Sequence, residues 1–108
     1  MSGVKAKLLA EIRKIAGIED RPSPVAGGTA LFYKGESIAH FHGDNELDIR
    51  LTKTNIRMLR LSHPKGSAHH PNRSPNSAWI EVRLAGPADV PRVCEFVRLA
   101  AAAMSRKA

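Results

Sequence analysis

The chain has 108 residues, of which 43% are hydrophobic and 25% charged, a composition that fits one folded domain spanning 1–108 and is too apolar for a disordered chain. No run of eighteen apolar residues occurs, and charge is spread through Met1 to Ala16, so the sequence predicts neither a membrane span nor a signal peptide, and a cytoplasmic protein. Seventeen Lys and Arg against ten Asp and Glu give a net charge of +7, which admits polyanions as partners, although single-strand binders interleave more aromatics than the 5% present here.

In chain order, Val4, Leu8, Ile12 and Ile15 recur at helical spacing, and Gly17 before Ile18 reads as a left-handed stop, so the chain opens with an amphipathic helix. Glu19 to Gly28, with two prolines and a closing Gly-Gly, reads as a loop. Thr29 to Thr52 holds three strand-like runs separated by Lys34-Gly35 and Gly43-Asp44-Asn45, a three-stranded meander. Thr52 or Thr54 then caps a helix of two or three turns with Ile56 and Leu59 as its apolar stripe. His63 to Ser77 carries three prolines and reads as a long loop. "AWIEVRLA" alternates as a fourth strand, with Ile80, Val82 and Leu84 on one face and Trp79, Glu81 and Arg83 on the other. A last helix starts near Asp89 and turns Val90, Val93, Val97, Ala100 and Met104 inward. Cys94, the one cysteine, falls in this apolar context as a small buried hydrophobe. The order α-β-β-β-α-β-α predicts an α+β two-layer sandwich, an antiparallel sheet of about four strands with helices on one face. The other face is left to water, a ligand or a partner.

The stretch "HFHGDNELDIR" carries the most informative chemistry. Burying Phe41, Leu47, Ile49 and Leu51 on one side fixes the hairpin register. With Gly43-Asp44-Asn45 as the loop, His42 pairs with Glu46, Phe41 with Leu47, His40 with Asp48 and Ile38 with Arg50. His40, His42, Glu46, Asp48 and Arg50 then share the uncovered face. Two histidines at i and i+2, opposite a carboxylate, suit a divalent transition metal held by His40, His42 and Asp48. The same groups suit a small polar or anionic ligand, or acid–base work with Asp48 orienting His40. The plain alternative is a solvated hairpin face, where a His–Asp pair contributes about 0.2–1 kcal/mol. No phosphate loop, nucleophile elbow, HExxH or CxxC accompanies the cluster.

The elements "GGTALFYKGESIAHFHGDNELDIRL", "HP" at His63-Pro64, "HHPNRSPNSAWIEV" and "DVPRVCEFVRLA" resemble the small bacterial luciferase-like domain family, from about Val25 to Met104. The chain is much too short for the barrel of a flavin luciferase. The resemblance brings no established substrate or cofactor; it implies that His40, His42, Gly43, Asp44, Asp48, His63, Pro64, Ser77 and Trp79 belong to a recurring pattern. A ligand set of His40, His42, Asp48, Arg50, His63 and Trp79 follows, with Arg50 meeting an anionic group and Trp79 forming an apolar wall. Two other readings stay open. A basic strip of Lys53, Arg57 and Arg60, extended by Lys65 and Arg73, could track nucleic-acid phosphates, and the uncovered sheet face could form a homodimer.

Overall fold

A computed structural model describes residues 3–22, 28–61 and 77–106. The first helix, α1 (Val4–Ile12), buries Leu8 and Ile12, and Val4 and Ile15 pack partly buried against the same core. After it the chain turns at Gly17, whose φ is 89°. A Cβ there would stand 2.7 Å from the Tyr33 ring, so both the conformation and the close approach require glycine.

The turn feeds a strand where the sequence predicts a loop. β1 (Ile18–Pro22) pairs antiparallel with β2 (Thr29–Tyr33), from Ile18 opposite Tyr33 to Pro22 opposite Thr29. The sheet therefore has five strands rather than four. Only Ile18 of β1 is buried, so the strand has no apolar alternation to detect. It forms one edge of the sheet, where charged residues and a terminal proline are tolerated because the outer backbone groups have no ladder partner.

β3 (Glu36–His42), β4 (Glu46–Arg50) and β5 (Trp79–Arg83) complete an open antiparallel sheet in the order β1-β2-β3-β4-β5. Between β2 and β3 the register shifts, so that Leu31 faces Ala39 while Phe32 faces Ser37. Ile38 is the residue left over, and this bulge buries Ile38 and Ala39 together. α2 (Lys53–Met58) follows β4, capped by the Thr52 hydroxyl, which accepts from the Asn55 N–H at 3.2 Å. It is shorter than expected and buries only Ile56; Leu59 lies past its end and is exposed.

A 3-10 turn (Pro87–Asp89) leads into α3 (Val90–Arg106). The Asp89 carboxylate accepts from the Ala85 and Gly86 N–H groups at 2.8 and 3.4 Å, and Pro91 sits in the first turn, where its missing N–H has no helical partner to lose. α3 packs on α1 and across β3 and β4. Val93, Val97 and Ala100 of α3 join Leu8, Ile12, Phe41, Leu47, Ile49 and Ile80 in one buried core. The result is the α+β arrangement the periodicities predict, with its helices covering one face of the sheet. Cys94 is buried at the edge of this core. Among the described residues no helix is long and apolar enough to cross a membrane.

Candidate functional site

Alternation on a five-strand sheet sorts the side chains into rows. Leu31, Ala39, Ile49 and Ile80 stand opposite one another in turn, as do Phe41, Leu47 and Val82, and both rows enter the core. The row between them faces the other way: Ala30, His40, Asp48 and Glu81, one residue from each of β2 to β5. On that same second face His42 pairs with Glu46 and Arg83 follows Glu46, while Arg50 pairs with Trp79. The predicted hairpin pairs His42–Glu46, Phe41–Leu47 and His40–Asp48 are those of the structure. Gly43, with φ 72°, supplies the left-handed residue of the connection.

This second face is not a solvated surface at its centre. Asp48 is 1% exposed and Glu81 3%. His40, His42, Glu46, Arg50 and Trp79 are half-buried around them. A polar group taken this far from water is costly unless it is paired, so a fully solvated hairpin face does not describe the molecule.

His40 Nε2 lies 3.5 Å from Asp48 Oδ2. The His40 and His42 rings meet edge to face, with centroids 4.8 Å apart and planes at 86°. One ligand atom from each of His40, His42 and Asp48 falls within 4.8 Å of the others. Ligands about 2.0–2.1 Å from a tetrahedral ion stand about 3.4 Å from each other. The His40–Asp48 separation of 3.5 Å is close to that spacing, and the His42 ligand atom lies within 4.8 Å of the other two.

Trp79 meets the cluster at His40. Its ring centroid is 5.5 Å from that of His40, tilted by 40°, although β4 runs between their strands. Two strand spacings measure roughly 9–10 Å, so the indole leans across β4, the strand that carries Asp48. The base of Trp79 is fixed locally. Its N–H donates to the Ser77 hydroxyl at 3.1 Å, and the Ala78 carbonyl accepts from the Thr52 N–H at 3.0 Å. The Ser-x-Trp element thus has a structural reason, a short hydroxyl turn that starts β5. Thr52 itself has φ 83° and ψ 149°, a conformation that is strained for a β-branched residue and is held by the contacts at the β4–α2 junction.

The structure therefore gathers His40, His42, Asp48 and Trp79, with Arg50 beside them in the next row. His63, Lys65 and Arg73 lie outside the described residues. Lys53 and Arg57 are exposed on α2, whereas Arg60 is past the helix end with φ 56°, so the three basic groups do not continue along one helical face. The residue that sequence reasoning left out of the site is Glu81. Its position was readable from the alternation of β5; its burial was not.

A family model for the luciferase domain matches residues 35–100, more than half of the chain. The chain belongs to the luciferase domain family. The matched segment begins at the β2–β3 turn and includes all of β3, β4, α2 and β5, hence every described residue of the cluster. No curated protein and no solved structure shows a significant match to this luciferase-domain chain.

Proposed function

We propose that this luciferase-domain protein binds a divalent transition metal on the second face of its sheet through His40, His42 and Asp48, and presents it to a small polar or anionic ligand. The convergence of the two imidazoles and one buried carboxylate within 4.8 Å carries this reading. Two histidines and one carboxylate form a donor set that suits zinc, iron or manganese, and three protein ligands leave coordination positions for an exogenous group. Position also matters. Strand residues two apart point the same way, so His40 and His42 reach one ion without distorting β3, and Asp48 completes the set from the directly opposing position on β4.

In this reading the half-buried Trp79 is the apolar wall and Arg50, its cross-strand neighbour, is the group that meets negative charge on the ligand. His63 belongs to the same proposal on the resemblance of the His-Pro element alone. A bound metal would act as a Lewis acid and as a template for the ligand. The chain's own groups would orient it, exclude water from one side and balance charge.

The test is an NMR titration of the protein with zinc, with manganese as the paramagnetic counterpart. Saturable imidazole and amide shifts centred on His40, His42 and Asp48 are expected, and the combined His40→Ala, Asp48→Asn variant should lose them while keeping its fold. Unchanged metal affinity in that variant would remove the site.

A further inference from the structure

The row that holds His40 and Asp48 continues to a second buried carboxylate. Glu81 stands directly opposite Asp48 across the β4–β5 ladder and is 3% exposed. Opposed residues on one face of an antiparallel pair have Cβ atoms about 4.5–5.5 Å apart, so the Asp48 and Glu81 side chains leave the sheet side by side, and both are buried. A divalent ion held by two neutral imidazoles and the single carboxylate of Asp48 would retain one positive charge. In a site where Asp48 is 1% exposed and its histidine neighbours are half-buried, an uncompensated charge is expensive. The chain places a second acid at the adjoining position of the same row.

We propose that Glu81 is the second carboxylate of the metal centre, the group that brings the His40, His42, Asp48 set to neutrality with a divalent ion. This rests on the metal reading of those three residues. Carboxylates that stand just beyond the ligands tune affinity strongly, and their loss costs about 10–100-fold.

The experiment compares wild type, Glu81→Gln and Glu81→Asp by calorimetric titration with Mn2+ and Co2+, with the melting temperature of each metal-free protein read alongside. Wild type should bind one ion. Glu81→Gln should bind at the same stoichiometry about 10–100-fold more weakly, with a cooperative metal-free melt showing that the variant keeps its fold. Glu81→Asp keeps the charge and should stay within about tenfold of wild type; it also decides the matter if the glutamine variant does not fold. Wild-type affinity in Glu81→Gln, or affinity lost equally in Glu81→Asp and Glu81→Gln, overturns the role of Glu81 and leaves the triad intact. Failure of wild type to bind either ion here and zinc in the NMR titration overturns the triad and Glu81 with it.

Discussion

Two aspartates show how differently the same side chain behaves in this molecule. Asp20, on the edge strand β1, accepts from Arg13 Nε at 3.0 Å and from Arg13 Nη2 at 2.9 Å. Those hydrogen bonds, against some opposing desolvation, hold the Asp20 carboxyl below its ordinary value of 3.8. Because the folded state binds the proton less readily than the unfolded chain, the pair's stabilisation is present above pH 3.8 and is lost as pH falls through the lowered folded value. Acidification from about pH 5 to 2 should therefore lower the melting temperature of wild type more than that of Asp20→Asn, and the two curves should converge at the acid end; parallel curves would show that Arg13 does not hold the charge. The Arg13 side chain is largely solvated, so the effect is small and weakens with salt. Asp48 differs in kind. It is buried beside His40 in the centre of a sheet face, where what it faces, rather than its exposure, sets its chemistry.

At the scale of elements, the sequence made legible those parts whose apolar residues repeat with a clear period. The β3–β4 hairpin is the best example. Phe41, Leu47 and Ile49 can reach one core only in a single register, and that register places His40 opposite Asp48. β5 and α3 were equally readable, the one from strict alternation and the other from its inward valines. β1 was hidden because an edge strand need bury little, and its single buried residue leaves no pattern. The burial of Asp48 and Glu81 was hidden for another reason: alternation says which face a side chain takes, not what lies over it. The end of α2 is not legible in the sequence because the terminating residue is not a glycine. Arg60 takes φ 56° and its N–H donates to the Arg57 carbonyl at 3.1 Å, while Leu61 N–H donates to the Ile56 carbonyl at 3.0 Å. This is the paired bond pattern that closes a helix through a left-handed residue, and a side chain there costs roughly 1–2 kcal/mol. Arg60→Gly should accordingly stabilise the protein by about 1 kcal/mol, after allowance for the greater entropy of glycine in the unfolded chain. A rise in the denaturation midpoint checks this, and a fall would mean that the exposed Arg60 side chain makes a contact worth more than the strain.

For the whole molecule, a metal centre on the sheet is also a statement about folding. His40 and His42 lie on β3, Asp48 on β4 and Glu81 on β5, so an ion bound there would join three strands of the sheet. The unfolded chain does not hold these groups together, and binding to the native state alone stabilises it by mass action. At a free metal concentration one hundred times the dissociation constant the gain is about 2.7 kcal/mol. In a chain near 100 residues each kcal/mol moves the melting temperature by about 4 °C, so a rise of about 10 °C is expected. Two features of the sequence act against that figure. The net charge of +7 repels a cation at long range, although at physiological salt the repulsion is screened beyond about 8 Å. Five histidines in the unfolded chain also compete for the ion, which lowers the gain. The comparison that separates native-state binding from competition is the same melt on Asp48→Asn. All five histidines remain in that variant, so weak binding to the unfolded chain persists, while the native centre has lost its buried carboxylate. Metal should then leave the melting temperature flat or lower it slightly, and a rise equal to that of wild type would place the ion elsewhere on the protein.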